Sequence, residues 1–516
     1  MKACVTVCMA LVTGTLLHAA DASAPVKLTH DWPGYTGPTG TFTCPDPTPI
    51  RAELKDARLV WVNEQADLGF AKTTSGGGHC YPKTMKASGS SSLIVAGGLV
   101  LLGYVVPKDE IAADDVIVAV DAATGKTKWK QVFAGKGLAR DDRKHPRYGA
   151  VPVASGGKVF HLGSAGLIYA VDLATGKPAW EADVGPFRQD LLAILKRTEG
   201  QPGADRAAEV DKWWPYAMRA PLQVVDGVLL APFGPWTAKD KHNPPKTPDE
   251  NEARKRNTLF AFDAADGKPL WKLTDGAAEG NNACVAKIGD TTYALTASKF
   301  GMLRLIAPRT GKVLWEEFVG VSHVMQPIVA EGRAFVMRAK EPKKDTFEKD
   351  AFLAAFTLSE TGPQLAWQSQ YPLPGLTGWN PLAYRDGVFY VGLMDSAPKG
   401  GVYALDAATG KELACFSGER WLFHLWGDRL IIPGDVNHES MGFSCTYTAV
   451  TPGLKDLKLA GQPFAFRNIP GYKGVCGYEV LMIHPFVDGY LFTRAVDVKK
   501  GMGVIMCWDL RQPKGD

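Results

Sequence analysis

After residue 24 the chain has no run of about 18 apolar residues, the length a helix needs to cross a bilayer, so no membrane span is expected. It also lacks blocks of one charge sign: 58 Lys and Arg stand against 54 Asp and Glu, a net charge of +4. With no long basic stretch interleaved with aromatics, nucleic acid is not indicated as a partner. Helical periodicity is scarce, which argues against a bundle. Signatures of hydrolysis and nucleotide binding are missing too: there is no Gly-x-Ser-x-Gly elbow. Ser75-Gly76-Gly77-Gly78 is not followed by the Gly-Lys-Ser/Thr of a phosphate loop, and is expected to be a flexible lead. His438-Glu439 has no second histidine at a zinc spacing and reads as a loop contact.

Cysteine is sparse, nine in 516 residues. Two of them, Cys4 and Cys8, fall in a stretch that reads as a secretory signal: Lys2, apolar residues to Leu17, then small residues with a cleavage site at Ala20-Asp21-Ala22 or Ala22-Ser23-Ala24, the first preferred because Pro25 follows the second. No cysteine stands at that site, so a lipid anchor is not expected. The mature protein is expected to be periplasmic or secreted. It would keep Cys44, Cys80, Cys284, Cys415, Cys445, Cys476 and Cys507, an odd number. At least one thiol then stays unpaired or bridges to a partner, and Cys445 with Cys476 is the preferred pairing.

What the chain has in abundance is a repeated phrase. AVDAATGKTKW begins at Ala119, AVDLATGKPAW at Ala170 and AFDAADGKPLW at Ala261; ALDAATGKELA at Ala404 ends on Ala414 instead of tryptophan. LIAPRTGKVLW from Leu305 has Ala307 for the aspartate, and FTLSETGPQLAW from Phe356 is one residue longer. Self-similarity at this spacing means one supersecondary unit per copy, unable to bury its own apolar face without neighbours. Alternating apolar residues predict a strand that ends in a tight turn. Asp121, Asp172, Asp263 and Asp406 suit that turn as acceptors for nearby backbone N–H groups, and Gly125, Gly176, Gly267 and Gly410 supply positive φ. A second strand carries Trp129, Trp180, Trp271, Trp315 and Trp367, read as structural plates that dock neighbouring units.

Each phrase follows an apolar hairpin whose tip is Gly-Gly, Asp-Gly, Glu-Gly or Gly-Asp, as in LIVAGGLVLLGY from Leu93 and NPLAYRDGVFYVG from Asn380. Eight such hairpins with their following strand pairs predict an all-β fold, an eight-bladed β-propeller of four-stranded antiparallel blades. The segment ARLVWVNEQ, with Trp61, has no hairpin of its own. It is expected to complete the last blade and close the ring. The domain plan is a signal peptide over 1–22, an N-terminal extension over 23–56 and one propeller over 57–516.

In such blades the two hairpin turns share one side, and the longer connections share the other. Every long segment falls in the second set, including 186–216, with a short helix expected over PFRQDLLAILKR, and 234–257, 340–350, 435–443 and 452–478. Function concentrates on variable loops held by a rigid scaffold. Residues entering the innermost strands from that side form the candidate axial mouth: His79, Arg147, Trp214, Arg219, Asn282, His323, Gln326, Trp379, Asn380, Trp426 and Glu479. Aromatics with a few cations and amides suit a flat or sugar-like ligand. Taken singly, most of these side chains read more simply as covers for the sheet ends.

The Ala-x-Asp-x-x-x-Gly-x-x-x-Trp phrase resembles the tryptophan-docking motif of the pyrroloquinoline quinone (PQQ) repeat β-propellers, the fold of quinoprotein alcohol dehydrogenases. It matches at Ala119, Asp121, Gly125 and Trp129, at Ala170, Asp172, Gly176 and Trp180, and at Ala261, Asp263, Gly267 and Trp271. DWPGYTGP from Asp31 resembles the opening of many secreted bacterial PQQ-repeat proteins, with Thr36 where arginine is usual. The resemblance covers the chain from about Asp31 to its end. It implies the fold more strongly than an activity. The dehydrogenases use a disulfide of adjacent cysteines beneath the cofactor and a calcium held by Glu, Asn and Asp; this chain has no adjacent Cys pair and no Cys-x-x-Cys-His haem signature. Sugar dehydrogenases of the same fold manage without the disulfide.

Two functions are therefore expected to compete. The first is a non-catalytic binding or scaffolding propeller that holds a protein, glycan or small ligand. The second is an oxidoreductase with PQQ and calcium, acting on alcohols or sugars, with Glu479 or Asp435 as base. A role in outer-membrane assembly, like the lipoprotein of similar propeller type, loses ground for want of a lipid-attachment cysteine.

Overall fold

The computed structural model describes residues 25–45, 48–63, 92–109, 111–138, 151–184, 186–213, 221–233, 258–274, 283–298, 301–321, 326–343, 348, 351–369, 382–393, 401–417, 423–434, 446–450, 459–464, 472–474, 484–497 and 502–513. They form eight antiparallel sheets in chain order: sheet 1 over 94–138, sheet 2 over 153–183, sheet 3 over 223–274, sheet 4 over 284–318, sheet 5 over 328–368, sheet 6 over 382–417, sheet 7 over 424–464 and sheet 8 over 472–509. Sheets 1 to 7 each have four strands in sequential order.

The hairpin tips behave as their residues dictate. Asp226-Gly227, Asp386-Gly387 and Asp488-Gly489 have φ of 48° and 69°, 49° and 77°, and 51° and 77°. Positive φ at both central residues is the mirror-image turn whose twist matches the strands it joins. In the later turns Asp121 Oδ1 accepts from Thr124 N at 2.9 Å and Thr124 Oγ1 at 2.8 Å, and Asp172 and Asp406 repeat the pattern with Thr175 and Thr409. These aspartates are turn caps, held below the usual carboxylate range at Asp172 and Asp406 chiefly by the threonine hydroxyl.

The repeated phrase is a docking device. Trp129 faces Ala119 across its own strand pair, where a small partner leaves room for the indole. Its Nε1 then donates to Leu173 O in the turn of sheet 2, at 3.0 Å. The ring lies against Gly176, where a Cβ would come within 2.5 Å of Trp129 Cδ2. Trp180, Trp271, Trp315 and Trp367 donate likewise to Ala264 O, Pro308 O, Ser359 O and Ala407 O of the next sheet. The glycine of the phrase thus serves two ends, positive φ and a bare surface for the previous unit's indole.

Strand Arg58–Asn63 pairs antiparallel with Met502–Asp509, so chain segments from the two ends share sheet 8. Trp61 acts as that sheet's docking plate: its Nε1 reaches Ala122 O of sheet 1 at 3.0 Å, and its ring covers Gly125. Sheet 8 departs from the expected four strands. Phe486–Val487 pairs with only the first part of Tyr490–Asp497, and Tyr472–Gly474 pairs with the rest, from Ala495 to Asp497. The additional strand supplies partners for backbone groups that the short Phe486–Val487 leaves unmet.

Buried clusters join each sheet to the next. Sheets 1 and 2 share one around Ile117 and Val159, sheets 2 and 3 one around Phe160 and Phe233, and sheets 3 and 4 one around Leu230 and Ala294. Sheets 4, 5 and 6 share the largest, around Leu305, Phe335 and Phe389. Sheets 6 and 7 meet at Tyr390 and Leu430, sheets 7 and 8 at Trp426 and Phe486, and sheets 8 and 1 at Phe492 and Val118.

The long connection after sheet 2 carries the expected helix, α1 (Pro186–Arg197), and a second that the sequence reading did not include, α2 (Gly203–Trp213). Leu191 and Ile194 of α1 and Val210 of α2 pack into the cluster of sheets 2 and 3, and Arg197 Nη2 meets Glu209 Oε2 at 2.9 Å. Among the described residues no helix is long and apolar enough to cross a membrane.

Candidate axial site

The innermost strand of each sheet begins at the end where the long connections enter. Ile94–Ala96, Val153–Ser155, Gln223–Val225, Cys284–Ile288, Ile328–Ala330, Leu382–Arg385 and His424–Trp426 are these strands in sheets 1 to 7. In sheets 2 to 6 they lie next to one another in sequence order. The starts of these strands are where an axial mouth would be built.

Of the eleven expected mouth residues, Gln326 and Trp426 lie within the described residues. His79, Arg147, Trp214, Arg219, Asn282, His323, Trp379, Asn380 and Glu479 lie outside them, as do Cys445 and Cys476. Gln326 stands just ahead of the sheet 5 inner strand and is 6% exposed. Its Nε2 donates to Cys284 Sγ at 3.8 Å, and Cys284 Sγ donates to Pro327 O. Burial pushes the Cys284 thiol up to about 12; with Cys507, it is a buried free thiol. A thiol held protonated in this way is a weak nucleophile.

Trp426 is 2% exposed and sits in the packing between sheets 7 and 8, not on a free wall. Its ring stacks with His424 at 5.6 Å and with Phe486 at 6.5 Å. His424 in turn meets His484 edge to face at 5.8 Å. Both histidines stand at or just before inner strands, so adjacent sheets bring two imidazoles together. Burial, and then repulsion from His484, pushes His424 down to about 3, leaving it neutral at ordinary pH. His484 was not singled out from the sequence. Its signal was positional: it precedes the eighth hairpin much as His424 opens the seventh.

A second polar centre lies between sheets 1 and 2 near α1. Asp115 accepts from Ser164 N at 3.0 Å, Ser164 Oγ at 2.7 Å and Tyr169 OH at 2.9 Å. Burial raises its carboxyl above the usual range against these hydrogen bonds. Phe133 stacks on Tyr169 at 3.8 Å. With all three donors coming from the neighbouring sheet, this carboxylate pins two sheets together. Among the described residues no group of three or more His, Cys, Asp or Glu is placed to hold a metal ion.

The family model described as outer membrane protein assembly factor BamB, a PQQ-repeat model, matches residues 43–207 and 255–415, more than half of the chain. The chain belongs to the PQQ-repeat β-propeller family. Among solved structures it is similar to BamB from Moraxella catarrhalis, with 13% identity, a TM-score of 0.46, and coverage of 88% of this chain and 99% of that one. A quinohemoprotein alcohol dehydrogenase from Pseudomonas putida HK5 has 15% identity and a TM-score of 0.45, over 93% of this chain and 74% of that one. A europium-containing methanol dehydrogenase has 12% identity and a TM-score of 0.42, over 93% and 98%. No curated protein matches the chain.

Proposed function

We propose that this PQQ-repeat protein is a secreted or periplasmic, closed eight-bladed propeller that works as a non-catalytic binding or scaffolding protein through its loop-rich side. Its partner is a protein, a glycan or a small ligand. The observation that carries this reading is the contrast between the two ends of the sheets. The turn ends repeat one pattern and are tied to the next sheet by indole docking in sheets 1 to 5 and 8, while the long connections enter and leave at the other end. Variation confined to one side of a repetitive scaffold is what a recognition surface needs. The shared clusters between sheets 1 to 8, and from 8 back to 1, support closure. The matching family model carries the description of an assembly factor, which also leans towards binding.

The competing reading needs a carboxylate and amide cluster near the axis to hold calcium and PQQ, and its expected bases, Glu479 and Asp435, lie outside the described residues. One experiment separates the two. Purified protein is mixed with PQQ and calcium, its absorption spectrum is recorded, and dye-linked oxidation of alcohols and sugars is assayed. An unchanged cofactor spectrum and no turnover are expected. A shifted spectrum with turnover would replace the binding reading by the oxidoreductase one.

A further inference from the structure

The N-terminal segment does not run along the outside of the sheets. Trp32 exchanges backbone hydrogen bonds with Val95, at 2.7 and 2.9 Å. Pro33 O accepts from Ala154 N at 2.7 Å, and Thr41 O accepts from Tyr384 N at 3.1 Å. Thr43 Oγ1 adds a bond to Tyr384 O at 3.3 Å. Val95, Ala154 and Tyr384 all lie on innermost strands, those of sheets 1, 2 and 6. The edge of an innermost strand that faces away from its own sheet points to the axis, so a segment bonded to three such edges lies in the axial opening. Sheets 2 and 6 stand opposite each other in a ring of eight.

Between these anchors Tyr35 and Phe42 meet edge to face at 5.3 Å. Tyr35 packs against the cluster of sheets 1 and 2, and Phe42 against those of sheets 4 to 7. Both flanks of the crossing are fastened at hairpin tips: Asp488 of sheet 8 receives Thr29 Oγ1 at 2.9 Å and His30 N at 3.0 Å, and Asp428 of sheet 7 receives Ile50 N at 3.2 Å. The tips mark the turn side, opposite the long connections.

We infer that residues 33–43 cross the axis as a plug on the turn side, so that the axial opening is a blind pocket entered from the loop-rich side, with the Tyr35 hydroxyl on its floor. The inference rests on the closed-ring reading above. Tyr35 is only half-buried, yet desolvation pushes its phenol up to about 12. A group deep in the protein that still keeps accessible surface faces an internal space. Its hydroxyl has no hydrogen-bond partner among the described residues, so it is available to a ligand. The floor offers a phenol and an aromatic ring, and burial is the cause of the phenol's shift, with no charged neighbour contributing. The ligand class that fits is a small uncharged molecule with a hydroxyl or carbonyl group.

Two measurements test this. Hydrogen exchange on the unmodified protein should find the Val95, Ala154 and Tyr384 amides at least about tenfold slower than open-edge amides. If these three exchange freely while amides of the second and third strands stay protected, the plug is overturned and the ring reading stands; loss of protection throughout overturns both. In Tyr35→Cys, N-ethylmaleimide, a small neutral probe, should modify position 35, located by fragmentation mass spectrometry, while a polyethylene-glycol maleimide of several kilodaltons should not. Modification by both reagents means that the turn side is open, and modification by neither means that position 35 is sealed in packing; each overturns the pocket.

Discussion

At single positions the structure separates two kinds of glycine that look alike in sequence. Gly176 and Gly156 both have positive φ, 71° and 56°, but a Cβ on Gly176 would meet Trp129 at 2.5 Å whereas one on Gly156 would meet nothing within 4 Å. Gly156→Ala is therefore expected to cost about 1 kcal/mol, the backbone penalty alone. Gly176→Ala is expected to cost about 3 kcal/mol, because the indole must move as well. Urea unfolding of the two variants checks the difference, and equal costs would refute the docking role of the glycine. His424 gives a pH prediction. Its folded value of about 3 lies below the unfolded value of about 6.5, so the unfolded chain binds the proton first. Its contribution is complete above pH 6.5 and is lost as pH falls towards 3, by up to about 1.4 kcal/mol per pH unit. His424→Phe, which keeps a ring on Trp426, should flatten melting temperature against pH in that window; an unchanged slope would show that another group is responsible.

The strand Arg58–Asn63 offers a comparison at the level of elements. Trp61 touches sheet 1 in the same way that Trp129 touches sheet 2: an Nε1–carbonyl bond of 3.0 Å and a ring over a glycine. Trp61→Ala and Trp129→Ala should therefore destabilise similarly, by about 3 to 5 kcal/mol, in thermal or denaturant unfolding. A neutral Trp61 variant would mean that this strand is an accessory. Much at this scale was legible in advance, because the repeated phrase carries its own physics: aspartate for the cap, glycine for the turn, indole for the neighbour. What escaped were features with no repeat to announce them. The helix α2 lies in an insertion, and Tyr472–Gly474 pairs only because Phe486–Val487 is too short to cover its partner strand. The two helical neighbours pack through Leu191, Ile194 and Val210, of which only the α1 pair shows clear helical spacing.

Over the whole molecule, the sequence reading reached the sheets better than the site. Hairpin tips recur with every unit and docking plates in sheets 1 to 5 and 8, whereas axial residues come from the one part of each unit that differs, and each needs the others' positions before its role can be read. Gln326 and Trp426 illustrate the limit: both stand at the expected height in their sheets, yet one bonds sideways to Cys284 and the other fills the space between sheets. A chain lacking residues 1–63 would leave the edge of Met502–Asp509 without its partner strand. Such an edge invites pairing with another chain. Size-exclusion chromatography should show self-association, and a monomer with an unchanged melting temperature would contradict closure through this strand.

The pairing of Arg58–Asn63 with Met502–Asp509 also sets a schedule. Arg58–Asn63, the first strand among the described residues, must wait for Met502–Asp509, the last, to be made, so folding cannot finish unit by unit as synthesis proceeds. Contacts so distant along the chain carry a large loop-closure cost and form slowly. Sheet 8 therefore stays incomplete on the growing polypeptide until Met502–Asp509 has been synthesised, however early the intervening sheets form.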